Sequence, residues 1–185
     1  MSVIASLVDE YTRYKALADA ALAQVDDAEL TRTGPGDSNS IEILVRHVAG
    51  NLRSRFTDFR TADGEKPWRD RDEEFESSTL TRQQMIEAWE EAWRVLFAEL
   101  HALSDADLPA TVVVRRQSLR IDEALHRSLA HTAYHVGQIV YLAKAARGES
   151  WRCLTIPRGA SKAYNQASPN ERAAAHAANL ATPRS

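Results

Sequence analysis

The sequence predicts an all-α protein, and three observations carry that prediction. Apolar residues recur at steps of three and four over four long stretches. Polar capping residues stand just ahead of several of these stretches. Seven glycines and six prolines in 185 residues are too few for a turn-rich β-sandwich. The architecture expected is a four-helix bundle with a long crossover between helices two and three, plus a C-terminal extension. Residues 1–164 would form the bundle and residues 165–185 an Ala-rich tail.

The first helix is read over residues 2–26, where Ile4, Leu7, Val8, Tyr11, Leu17, Leu22 and Val25 make the stripe and Ser2 can cap it. Thr33-Gly-Pro-Gly36 breaks the chain. The second helix, about 40–60, opens on Asn39-Ser-Ile-Glu42, read as a capping box with Asn39 as the cap. Residues 61–80 are polar and broken by Gly64 and Pro67. At up to ~3.3 Å per residue such a segment reaches ~65 Å, whereas a 21-residue helix is only ~31 Å long. The segment can therefore return along the whole bundle and start the next helix parallel to the second.

Thr81-Arg-Gln-Gln84 is a capping box for the third helix, which runs to about 103 and carries Trp89 and Trp93 in its stripe. Thr111-Val-Val-Val114 is a β-branched run too short for a core strand, read as an extended piece or a small hairpin. The fourth helix spans about 122–147, with Asp122 and Glu123 in its first turn, Lys144 and Arg147 in its last and Gly148 ending it. Trp151, Leu154 and Ile156 are expected to lie across the bundle. Ser168-Pro-Asn-Glu171 reads as the start of a short peripheral helix over 169–179. Val25-Asp-Asp-Ala-Glu-Leu30 and Leu103-Ser-Asp-Ala-Asp-Leu108 look alike, a faint sign of duplicated helical hairpins.

Composition narrows the function classes. Hydrophobic residues at 44 % and charged residues at 26 % describe an ordinary globular chain. A net charge of −3 gives no general attraction for nucleic acid or anionic membrane. Arg53, Arg55, Arg60, Arg69 and Arg71 alternate with acids and read as a solvated face. No window approaches a membrane span and the N-terminus lacks a basic leader, so no membrane partner and a cytoplasmic location are expected. The single Cys153 excludes an intramolecular disulfide and a thiolate-rich zinc site. Any metal must then be held by histidine and carboxylate.

His131-Thr-Ala-Tyr-His135 places two imidazoles on one helix face, Cβ atoms ~5–6 Å apart. His47 lies inside the apolar stripe of the second helix, flanked by Leu44, Val48 and Leu52. A histidine buried alone costs free energy unless bonded, neutralised or coordinated. His47 by itself reads best as a core histidine bonded to a carbonyl or carboxylate; the set of three reads best as ligands of one ion. The motif lacks the internal Glu of a zincin, and no paired Glu-x-x-His marks a di-iron site. Three histidines leave coordination positions open, the layout of a catalytic centre. Asn51, one turn past His47, and Gln138, three past His135, can orient water or substrate, or equally bond between helices. Arg55 can neutralise a substrate carboxylate, although pairing with an Asp of the 61–80 loop is favoured. Trp68 can cover the site or anchor its loop.

Four helices, a His on the second, His-x-x-x-His on the fourth and a long second connection resemble the DinB/YfiT-like bundle family. Arg46–Arg55, Asp63–Arg69 and His131–Ile139 look like a branch of it. The resemblance implies that His47, His131 and His135 hold a divalent ion, nickel or zinc. It also implies a homodimer and transfer of a low-molecular-weight thiol to a small-molecule substrate, or a metal-assisted hydrolysis. The alternative is a non-catalytic metal-binding or stress-response bundle whose ion is structural.

Overall fold

The computed structural model describes residues 2–181 except Pro35, Asp37 and Ser168. It is mostly helical. Four long helices, α1 (Val3–Leu22), α3 (Ile41–Phe56), α4 (Arg82–Ala102) and α5 (Ile121–Arg147), are accompanied by the short α2 (Asp27–Thr31) between α1 and α3, and by α6 (Ser161–Gln166) and α7 (Ala173–Ala181) after α5. One antiparallel hairpin, β1 (Thr111–Val114) and β2 (Gln117–Arg120), precedes α5. α3 packs on α4 and α5, and α1 packs on α4, α5 and α7. Their apolar faces meet in one core centred on Tyr11, Trp89, Trp93, Leu96 and Leu125.

End contacts fix the helix directions. Arg82, at the start of α4, donates to the carbonyls of Leu22 and Val25 at the end of α1 (2.6 and 3.0 Å). Asp105, beyond α4, accepts from the amides of Val3 and Ile4 (2.9 and 3.0 Å). Those two helices therefore run in opposite directions. Arg60, just past α3, pairs with Glu99 near the end of α4 at 3.3 Å, so α3 and α4 run the same way.

Local chemistry explains most boundaries. Ser2 caps α1 and Thr81–Gln84 forms the capping box of α4. The first helix ends at Leu22, short of the expected 26, because Asp26 and Glu29 form their own capping box and open α2. Ser104 and Asp107 make the matching box after α4, so the two similar sequences build two similar capped turns. The cap of α3 is Ser40, whose hydroxyl accepts from the Ile43 amide at 3.2 Å; Asn39 is not the cap. α3 stops at Phe56, short of residue 60, as Asp58 turns into the left-handed region at φ 49°. Gly148, at φ 52°, ends α5, where a side chain would be strained.

The hairpin turn is Arg115–Arg116, both at positive φ (52° and 62°), which arginine does not favour. Asp63 compensates: its carboxylate accepts from the Arg115 and Arg116 amides at 2.8 and 2.7 Å. The Gly64 amide adds a bond to the Val113 carbonyl at 2.8 Å, tying the connection after α3 to the hairpin. Past α5, Leu154 is buried and Trp151 packs on the core, but Ile156 is exposed, contrary to expectation. α7 begins at Ala173, later than expected, and the proposed cap Ser168 lies outside the described residues. Its Ala177 is buried against α1 and its His176 ring bonds the Leu154 carbonyl (3.2 Å). Among the described residues, no helix is long and apolar enough to cross a membrane.

Candidate metal centre

α3 and α5 bring His47, His131 and His135 together, one ring nitrogen of each lying within 4.8 Å of the others. His47 is 4 % exposed and His135 9 %, so the cluster sits inside the protein. The four-residue step on α5 stacks its two rings edge to face at 4.5 Å, and His47 faces both from α3 (5.2 and 4.9 Å).

The hydrogen-bond network sets which nitrogens point inward. His47 Nδ1 donates to Glu74 Oε2 at 2.9 Å, because a carboxylate only accepts. His135 Nδ1 donates to the Gln138 carbonyl oxygen at 2.7 Å. With Nδ1 so engaged, Nε2 is the nitrogen each ring has left to ligate. His47 Nε2 lies 3.2 Å from His131 Nε2. Nitrogens bound to one ion at ~2.0–2.1 Å sit about 3.3 Å apart in tetrahedral geometry. This pair is already at that separation, and a ring nitrogen of His135 lies within 4.8 Å of both. His131 Nδ1 is buried without a partner.

Burial, then the neighbouring His135 and His47, pushes His131 down to about 4. Burial also lowers His135, against the opposing bond to Gln138. Both rings are therefore neutral at pH 7 and free to ligate. The three-histidine donor set could hold a metal ion.

The support beneath His47 was not foreseen from the sequence. Glu74 sits on a 3-10 turn, Asp72–Phe75, inside the expected crossover. Arg46, next to His47, donates to the carbonyls of Glu73 and Glu76 (2.6 and 2.7 Å) and fastens that turn to α3. Arg69 grips both Glu74 oxygens at 2.7 and 2.8 Å. Its side chain is only 2 % exposed, so Arg69 belongs to a buried ion pair and not to a solvated face. Burial alone would raise the Glu74 carboxyl; the bonds from His47 and Arg69 outweigh it and hold it below the usual carboxylate range. Gly50, one turn from His47, leaves the space this carboxylate fills, since a Cβ there would collide with it. A glycine inside an apolar helical stripe was the available signal.

The other expected site residues fall nearby with different roles. Asn51 lines a cavity that also touches His47 and His131. Gln138 holds His135, as described. Arg55 lines the same cavity and pairs with Glu65 of the crossover at 3.3 Å. Trp89 and Trp93 are wholly buried core and do not line that cavity. Trp68 is half exposed beneath the Arg53 guanidinium (4.8 Å), away from the histidines.

Residues 2–160 match the model of a family described as "Protein of unknown function (DUF1572)". The chain belongs to that family. No curated protein and no solved structure matches it.

Proposed function

We propose that this DUF1572 protein is a divalent-metal-dependent enzyme of DinB/YfiT-like architecture, its ion held by His47, His131 and His135. In this reading the four long helices form a bundle with a long crossover between α3 and α4, and residues 165–185 are an extension of the domain at 1–164. The observation that carries it is the convergence of three imidazole nitrogens within 4.8 Å, two of the rings oriented from behind by Glu74 and Gln138. Such supported histidines are the pattern of a metal centre, not of incidental core residues.

The reaction we favour is transfer of a low-molecular-weight thiol to an electrophilic carbon, with metal-assisted hydrolysis as the variant. A divalent ion lowers the pKa of a bound thiol or water and so supplies a nucleophile that the chain lacks. The protein's own groups orient and enclose. Glu74 fixes the tautomer of His47. Gln138 does the same for His135. Asn51 projects into the adjoining cavity, where it can hold a reacting group.

The test is a screen of zinc- and nickel-loaded protein with small thiols against a panel of electrophiles, scored by thiol consumption. Turnover that disappears in His131→Ala supports the reading. Full metal occupancy with no turnover on any pair, and a large drop in melting temperature on chelation, would favour a purely structural ion.

A further inference from the structure

The cavity beside the histidines has a charge that the metal does not explain. It measures about 180 Å³, close to the ~150 Å³ that takes a benzene ring in an engineered core. His47 and His131 are part of its wall. Four arginines, Arg55, Arg71, Arg115 and Arg127, also line it, and no carboxylate does. That is a concentrated positive wall in a chain of net charge −3.

The arginines are only partly neutralised. Glu65 takes Arg55 Nη2 at 3.3 Å and Arg115 Nε at 2.8 Å. Arg71 has an exposed partner, Asp72, at 3.5 Å. Arg55 Nη1 remains buried with no partner. Arg127, exposed on α5 one turn before His131, has no ion-pair partner among the described residues. Asn51 and Ser128 add uncharged polar groups, and Phe56, Phe59 and Leu119 give the wall an apolar part.

We infer that this cavity takes a small organic carboxylate, its charged end held by Arg55 and Arg127 and its apolar body against Phe56, Phe59 and Leu119. The guanidinium fork matches a planar carboxylate, and a half-used fork in a low-dielectric wall is where one more charged hydrogen bond is worth most. The inference names the substrate class for the proposed metal enzyme and rests on that reading for what reacts at the histidines. The anion subsite itself does not need the ion.

Benzoate and its neutral isostere benzamide are the probes, titrated by calorimetry into full-length protein with and without zinc. Benzoate should bind in both states, at least about tenfold tighter than benzamide, the discrimination expected of one charged hydrogen bond. Arg55→Gln should weaken benzoate by about tenfold, with a smaller loss for Arg127→Gln. Because Arg127 is exposed, R127Q keeps the test decisive if R55Q fails to fold. Equal binding of the two probes, no benzoate binding to the wild type, or wild-type affinity in R127Q and R55Q would overturn the inference. Discrimination seen only with zinc would also overturn it, since the carboxylate would then be on the metal. Zinc binding without benzoate discrimination removes this inference alone; benzoate discrimination without zinc binding removes the metal reading alone.

Discussion

The α1–α4 seam and the α3–α5 seam are built from similar apolar stripes, yet they bury different chemistry. Between α1 and α4 the centre is aromatic: Tyr11, Trp89 and Trp93 are fully buried and meet edge to face. Trp89 Nε1 donates to Asp19 at 2.8 Å and Lys15 bridges Asp19 and Glu90, while Trp93 Nε1 is buried with no partner. Between α3 and α5 the middle holds three imidazoles, backed by a buried Arg69–Glu74 pair. A seam that only holds a fold together has no reason to carry that desolvation cost. One seam supplies stability and the other spends part of it on a site.

Breaking each seam in turn should separate these roles. The largest effect on stability is expected from Trp89→Ala, about 3–5 kcal/mol, read as a shift in denaturant midpoint. The metal affinity of the folded fraction should stay unchanged, and a parallel loss of metal affinity would deny that the seams are independent.

Glu74→Gln should act on the other seam. It keeps the shape of the side chain but removes the charge that faces Arg69 and leaves one acceptor oxygen, with an NH2 donor, where two oxygens served Arg69 and His47. Weakening of zinc by roughly 10- to 100-fold is expected, the usual scale for a partner behind a histidine ligand. Unaltered affinity would show that Glu74 serves Arg69 alone.

How far the sequence revealed these seams depends on the kind of signal. Periodicity located all four long helices, because each buries a stripe against its neighbours and the stripe must recur every three or four residues. The three histidines were legible for the same reason: each sits where a stripe demands an apolar residue. Glu74 and Arg69 were not, because they lie on an aperiodic segment and meet His47 only through the path of the loop. An acid among acids reads as solvated until the fold buries it. Boundaries slipped where side chains chose between neighbouring caps, Ser40 over Asn39, and where Asp58 adopted a backbone that pattern does not foretell. The small hairpin was one of two readings of the Thr111–Val114 run, but its second strand could not be placed, because Gln117–Arg120 has no clean alternation and Asp63 holds the turn.

Asp63 gives the smallest and most local effect. Hydrogen bonds from the Glu65, Arg116 and Arg115 amides hold its carboxyl below the usual range. A depressed carboxylate contributes stability that is present above its unfolded pKa and lost as pH falls through the folded one. The hairpin should therefore loosen on acidification below the ordinary carboxylate range. Asp63→Asn should lower stability modestly at neutral pH and flatten that part of the pH profile, read by amide exchange of the hairpin. An unchanged profile would mean that the turn holds itself.

The central claim is that His47, His131 and His135 form one metal centre. The direct measurement is calorimetric titration of zinc and of nickel into protein purified without a polyhistidine tag, beside the His131→Ala/His135→Ala double variant. The account predicts one ion per chain in the wild type and none at that site in the variant, with both proteins folded. Absence of stoichiometric binding to the wild type, or equal binding by the variant, would contradict it.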